Sequence, residues 1–352
     1  MSDVTQPVPI KRSAGALAKR REPLPWPRDR DFRILSIDGG GIKGIFPAAV
    51  LAGIEERFLG GESIARHFDL VAGTSTGGII ALGLGAGLTA GAVRDLYLQH
   101  GGAIFPGTTD TIAGRLKGHW RSARQLAAYT YDRAPLEALL QTALGTKILR
   151  DSVCRLNIPA FEGRHSEVYV FKTPHHPDFK LDARELMTTA ALSTAAAPTF
   201  FRSLENDGYV MVDGGVWANN PTMIALTDAM SCFDVDRHRI SILSIGCGAE
   251  PFVVTKKLMG GGLWHWRKMI FAAMHLQSQN AIGQARLLVG AERVLRIEPP
   301  AVSPAIAMDD YPRAKAALPA AAATAIAELG DEITARYLYG ATDPYVPIAP
   351  SV

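Results

Sequence analysis

Cysteine is scarce in this chain. Cys154, Cys232 and Cys247 are the only three in 352 residues. They are too scattered for a disulfide framework or a zinc site. Their odd number, with no signal peptide ahead of them, predicts a reducing cytoplasm. No uninterrupted apolar run approaches the ~20 residues a membrane-spanning helix requires. There is no H-E-x-x-H pair, EF-hand loop or paired C-x-x-C, so no metal or other cofactor is expected. Internal repeats are absent too. A hydrophobic content of 47% over 352 residues can bury a large core, as one large domain or two smaller ones.

What the chain does have is glycine set beside a serine and two aspartates. Ser75 lies in Gly73-Thr74-Ser75-Thr76-Gly77-Gly78, between the apolar runs Phe68-Asp69-Leu70-Val71-Ala72 and Ile79-Ile80-Ala81-Leu82. That layout predicts strand, sharp turn, helix. In a G-x-S-x-G turn, Gly73 and Gly77 let backbone and helix pack around a strained nucleophile. A small-residue turn capped by Ser or Thr has the same spacing. The flanking apolar runs favour the catalytic serine.

Residues 32–37 predict a buried strand. Asp38-Gly39-Gly40-Gly41-Ile42-Lys43-Gly44 follows it. Phe46, Val50, Ile54 and Phe58 then recur at four-residue spacing, as one apolar helix stripe. Glycine amides at a helix N-terminus make an anion site. It could be an oxyanion hole or a phosphate loop. The Walker pattern fails because Ile45 follows Gly44. Gly39, Gly41 and Gly44 satisfy G-x-G-x-x-G, but no acidic residue stands at the end of a second strand ~20 residues on.

The third motif is Tyr209-Val210-Met211-Val212-Asp213-Gly214-Gly215, a short strand ending in a carboxylate. Asp-Gly is also a common turn dipeptide. Pro221, after Asn219-Asn220, suits the first turn of a helix. A Ser-His-Asp triad needs a histidine after the acid. Only His238, His265 and His275 follow Asp213, and none sits in a glycine-bordered loop after a strand. His175 and His176, before Pro177, read as a polar turn. A triad esterase of another fold and a phosphate-binding module without hydrolysis remain the alternatives.

Strands are expected at 32–37, 68–72, 167–172, 209–213, 240–245 and 293–297. Helices are expected at 45–59, 77–86, 90–99, 132–143, 182–194, 221–230 and 321–338. The alternation argues for an α/β sandwich with a largely parallel sheet. Residues 1–30 read as a flexible basic arm, with Lys11, Arg12, Lys19, Arg20, Arg21, Arg28 and Arg30 among prolines and small residues. Two basic and aromatic segments suit a membrane interface: 115–124 around Trp120, and 263–271 around Arg267 and Lys268. Each also fits an ordinary amphipathic helix.

In this order, the three motifs resemble the patatin-like phospholipase family. Residues 35–45 and 68–78 are similar to plant patatin. Ala195-Ala196-Ala197-Pro198-Thr199-Phe200-Phe201 is similar to a family segment upstream of the aspartate. Asp213-Gly214-Gly215 with Asn219-Asn220-Pro221 resembles calcium-independent members. The resemblance implies a three-layer α/β/α sandwich. Its catalytic domain would span 31–230, with 231–352 completing or capping it. It also implies a Ser-Asp dyad, with Ser75 as nucleophile and Asp213 as general base. Gly39, Gly40 and Gly41 would supply the oxyanion hole, supported by Lys43, Gly44, Gly73, Gly77, Gly214 and Gly215. A carboxylate of pKa ~3.9 is a poor base for a hydroxyl. The dyad therefore predicts a buried, desolvated Asp213 or a strongly polarised Ser75.

Length and the His67-Phe68-Asp69-Leu70 approach resemble bacterial stand-alone members. Some of these are effectors of cyclic-oligonucleotide anti-phage systems (CBASS). That implies membrane phospholipid as substrate and a cyclic di- or oligonucleotide as activator. It also implies a cytoplasmic enzyme working peripherally at the inner face of the membrane. DNA and RNA duplexes are not expected partners, and a homo-oligomer stays open.

Overall fold

The computed structural model describes residues 20–106, 130–248 and 269–348. Its strands are β1 (Phe32–Ile37), β2 (Leu70–Gly73), β3 (Arg155–Glu162), β4 (Glu167–Lys172), β5 (Leu204–Asn206), β6 (Tyr209–Asp213), β7 (Ile240–Ile245) and β8 (Val294–Ile297). All eight join one sheet. The run β3-β2-β1-β7-β8 is parallel throughout. β4, β5 and β6 add antiparallel pairings at the β3 side.

The helices are α1 (Ile45–Phe58), α2 (Thr76–Gly85), α3 (Ala90–Ile104), α4 (Ala134–Leu144), α5 (Met187–Thr194), α6 (Gly215–Ala218), α7 (Thr222–Cys232), α8 (Met269–Val289) and α9 (Tyr311–Tyr337). Every residue of β1 is buried, as a parallel strand covered on both faces requires. Side chains alternate between those faces. Leu35 and Ile37 join a cluster with α1 to α5 and α9. Phe32 and Ile34 join a second cluster with α7 and α8. The fold is thus the expected α/β/α sandwich with a largely parallel sheet. Residues after 230 contribute β7 and β8 to the sheet and one long helix to each face.

The ends of β2 and β6 set the site. Asn157 of β3 pairs with both Ala72 and Lys172, and Ala160 pairs with both Tyr169 and Asp213. A strand has two edges, so β2 and β6 must share one and β4 takes the other. β2 runs parallel to β3 and β6 antiparallel. The two strands therefore point head to head, and their last residues, Gly73 and Asp213, face each other across Ile158 and Pro159.

Several elements depart from expectation. β3 is absent from the sequence forecast because Arg155, Asn157 and Pro159 break its apolar pattern. Pro159 is tolerated because its carbonyl faces the junction between β2 and β6, where it accepts from Thr194. Its nitrogen points the same way, so no ladder donor is missing. The helix expected at 321–338 begins at Tyr311, where Asp310 caps the Arg313 N–H at 3.3 Å and Pro312 fits the first turn. The helix expected from 182 begins at Met187, and α8 was not expected from the sequence.

The flexible arm expected over 1–30 does not extend through residues 20–30. Trp26 packs against Phe32 and Phe233, with ring centroids 4.7 and 5.3 Å away. The Leu24 N–H donates to the Cys232 carbonyl at 2.8 Å, and Arg30 pairs with Asp69 at 2.8 Å. One large aromatic between prolines supplies the anchor. Residues 1–19, the segment 115–124 and residues 263–268 lie outside the described residues. No helix among the described residues is long and apolar enough to cross a membrane.

Candidate active site

β2 ends at Gly73 and α2 starts at Thr76, so the chain must turn within two residues. Ser75 takes φ 54° and ψ −121° to do so, a conformation that L-residues avoid. Small neighbours make the turn possible. A Cβ on Gly77 would lie 2.3 Å from the Ile37 carbonyl oxygen, and one on Gly73 would lie 2.0 Å from that of Gly77. The Thr74 hydroxyl donates to the Ala218 carbonyl at 2.7 Å. The Ser75 N–H donates to Thr194 Oγ1 at 2.9 Å, and Thr194 donates onward to the Pro159 carbonyl at 2.5 Å. Tyr97 braces the next residue, donating to the Thr76 carbonyl at 3.0 Å and accepting from its hydroxyl at 2.6 Å.

Asp213 ends β6 and is 3% exposed. Its Oδ1 accepts the Gly215 N–H at 2.6 Å. Burial pushes Asp213 up to about 6, against the opposing pull of the Gly215 N–H and the nearby Ser75 hydroxyl. A Cβ on Gly214 would lie 2.3 Å from the Pro159 carbonyl oxygen, so glycine is needed where the chain leaves β6 beside β3.

No histidine among the described residues hydrogen-bonds Ser75 or Asp213. His238 is exposed in the short turn Arg237–Arg239, and His275 on α8 contacts Gln279. His265 lies outside the described residues. His175 and His176 are not in a polar surface turn, being 2% and 3% exposed. His175 Nε2 meets Asp228 at 2.7 Å, and Lys172 pairs with the other Asp228 oxygen. Burial alone would raise Asp228, but Lys172 and His175 hold its carboxyl well below the usual range. His175, Asp228 and Cys232 bring possible ligand atoms within 4.8 Å of one another. The Lys172 ammonium already supplies the cation there, so the cluster reads as a buried ion-pair network.

The glycine loop passes from β1 into the short turn Gly41–Gly44 and on into α1. Gly41 has φ 59°, and a Cβ there would lie 2.3 Å from the Met308 carbonyl oxygen. That carbonyl accepts the Ile42 N–H at 2.8 Å. A Cβ on Gly44 would lie 2.1 Å from Thr76 Oγ1. The Gly39 N–H already donates to the Asn219 carbonyl at 3.0 Å. The Gly40 and Gly41 amides open the turn and have no partner within it. Gly39 matters for closeness instead: a Cβ there would lie 2.6 Å from Asn219 Oδ1 and 3.2 Å from Ser75 Cβ.

Lys43 reaches to the Gly248 carbonyl. Asp38 is gripped by Arg296 through two bonds of 2.8 and 2.6 Å. Arg296, Thr194, Tyr97 and Met308 carry no motif, and sequence reasoning passed over them. Each meets the site only through the fold. Ser75 also faces a small apolar cavity of about 50 Å³, whose wall includes Ile79, Ile104, Phe105, Leu136, Phe200 and Phe201, with Gly41 and Thr76 beside the serine. A hydroxyl, a buried carboxylate, amides open to an anion and an apolar cavity together suit hydrolysis of an ester with an apolar acyl group.

The fold and this arrangement define an α/β lipid acyl hydrolase. A family model described as patatin-like phospholipase matches residues 35–226. The cGAMP-activated phospholipase of Vibrio cholerae is 34% identical over 263 residues, covering 69% of this chain and 73% of that protein. Its Pseudomonas aeruginosa namesake is 33% identical over 246 residues, covering 68% and 70%. Patatin-like protein 2 of Arabidopsis thaliana is 32% identical over 267 residues, covering 66% and 64%. The chain belongs to the patatin-like phospholipase family.

Proposed function

We propose that this enzyme hydrolyses acyl esters of membrane phospholipids through a Ser75–Asp213 dyad, switched on by a cyclic nucleotide. The observation that carries the dyad is a buried Asp213 carboxylate beside Ser75, which lines an apolar cavity. Ser75 Oγ attacks the acyl carbonyl while Asp213 takes its proton. The Gly40 and Gly41 amides hold the oxyanion. The ester C–O bond then breaks, and the departing alkoxide takes the proton from Asp213. Water attacks the acyl-enzyme next, with Asp213 as base again, and the fatty acid leaves as Ser75 regains its proton.

Activation rests on likeness to the two bacterial relatives, whose names include cGAMP activation. Such a switch suits anti-phage defence, in which the enzyme would attack the inner face of the cell's own membrane. The catalytic unit would span residues 31–230, completed by 231–352.

The test is fatty-acid release from mixed phospholipid vesicles, with and without cyclic di- and trinucleotides, for wild type, Ser75→Ala and Asp213→Ala. Release that requires both residues and one nucleotide is expected. Release that requires both residues but no nucleotide would leave an ungated lipid acyl hydrolase. Full release by Asp213→Ala would end the dyad.

A further inference from the structure

We infer that the groove between α8 and α9 binds the activating cyclic dinucleotide and acts through it on the oxyanion turn. This rests on the nucleotide gating proposed above. The groove holds about 730 Å³. Ordinary small-molecule sites occupy roughly 300–1,000 Å³, so there is room for a ligand of dinucleotide size. α8 contributes His275, Gln279 and Arg286, and α9 contributes Ala317, Ala320 and Ala321. The α9 alanines leave the width open, and Pro299 and Pro300 add flat apolar surface on which a base can lie.

Charge selects an anion. Lys43, Arg286 and Arg296 line the groove against a single carboxylate, Glu298. Arg296 is already committed to Asp38 and Glu298. Arg286 is exposed and makes no ion pair among the described residues. It is the cation best placed to meet a phosphodiester. A cyclic dinucleotide carries two such anions and two bases, which suits a long, mixed surface.

The groove also shares parts with the catalytic cavity. Gly41 and Ile42 line the acyl cavity, while Lys43 of the same turn lines the groove. Cys247 lines the groove and presses on the loop: a Cβ on Gly40 would lie 2.3 Å from Cys247 Cβ. Ala305 and Ile306 line the groove, and Met308 just beyond them lines the acyl cavity and receives the Ile42 N–H at 2.8 Å. A ligand in the groove thus touches both supports of the Gly40 and Gly41 amides. It can shift their equilibrium between poorly aimed and well aimed only if it binds one arrangement better.

The test uses the full chain. Binding of cyclic GMP–AMP, cyclic di-GMP and cyclic di-AMP is measured by calorimetry in a Ser75→Ala background. Arg286→Glu and Ala321→Trp are then added singly, with melting curves to check folding. Both variants are expected to weaken binding about ten-fold or more. In the Ser75-containing chain, each should raise the half-activating concentration by the same factor. Glycerol phosphate, the soluble counterpart of a lipid headgroup, should not displace the nucleotide.

Folded variants that bind as tightly as the parent would overturn the groove and leave nucleotide gating intact. Displacement by glycerol phosphate at comparable concentration would make it a headgroup site and also overturn the inference. A parent chain that binds none of the three, and releases fatty acid without them, would remove the gating proposal and this inference with it.

Discussion

Thr194 holds Ser75 in place: its hydroxyl accepts the Ser75 N–H at 2.9 Å while donating to the Pro159 carbonyl at 2.5 Å. One side chain thus ties Ser75 to the gap where β2 and β6 meet head to head. It is fully buried, so water does not reach these bonds. Thr194→Val keeps the shape and removes both bonds. We expect a loss of about 1–3 kcal/mol in urea unfolding and a fall in kcat on the order of ten-fold, with KM little changed. Thr194→Ser should restore both values. Unchanged kcat in the valine variant would show that the elbow holds its geometry without this bond.

Asp213 sets a pH dependence that can be worked out in sign. The proposed base acts as carboxylate, and burial pushes its pKa up to about 6. Log kcat/KM should climb with unit slope below pH 6 and level off above it. Stability should run the other way. Between an unfolded value near 3.8 and a folded value of about 6, the native state keeps a proton that the unfolded chain releases. Stability is therefore lost as pH rises through that window and stays lost above it. Asp213→Asn should be inactive yet more stable than wild type at pH 8, by about 2–3 kcal/mol, with the gap vanishing near pH 4. Equal stability at both pH values would mean that Asp213 is not strained by burial.

The three glycine motifs are legible in sequence because their residues and spacing are contiguous. Only Gly73 must be small for a reason close by, the Gly77 carbonyl oxygen four residues on. Gly77 and Gly214 are different, since the carbonyls they must clear belong to Ile37 and Pro159 on other strands. Ionic and hydrogen-bonding partners at long range leave no such trace. Arg296 reaches Asp38 from 258 positions away, and Thr194 reaches Ser75 from 119. β3 was hidden for a related reason. Its proline looks like a strand breaker until the junction beside it explains why no donor is needed. Trp26 shows the converse, since composition marks its surroundings as a solvated arm while one ring packs them onto the sheet.

The strained backbone at Ser75 gives a separate handle. A non-glycine residue in that region of φ and ψ costs about 1–3 kcal/mol. Both Ser75→Ala and Ser75→Gly remove the hydroxyl and should abolish fatty-acid release. Only the glycine variant also relieves the backbone, offset in part by its freer unfolded chain. Ser75→Gly should therefore melt above Ser75→Ala. If the two melt together, the fold does not store strain at the nucleophile.

The apolar cavity beside Ser75 should set acyl preference, and a substitution that shortens it separates that role from general damage. Ala197 lines the cavity and is half-buried, so Ala197→Phe can enter it without replacing a core side chain. Each methylene denied burial forfeits about 0.8 kcal/mol. Excluding two of them should lower kcat/KM on long-chain esters by roughly ten-fold or somewhat more. A butyryl ester, too short to reach the obstruction, should be cleaved at close to the wild-type rate. An equal loss on both substrates would mean that the phenylalanine has disturbed the dyad. An equal retention of activity would mean that the acyl chain lies elsewhere. Only a loss confined to the long chain assigns the cavity to the acyl group.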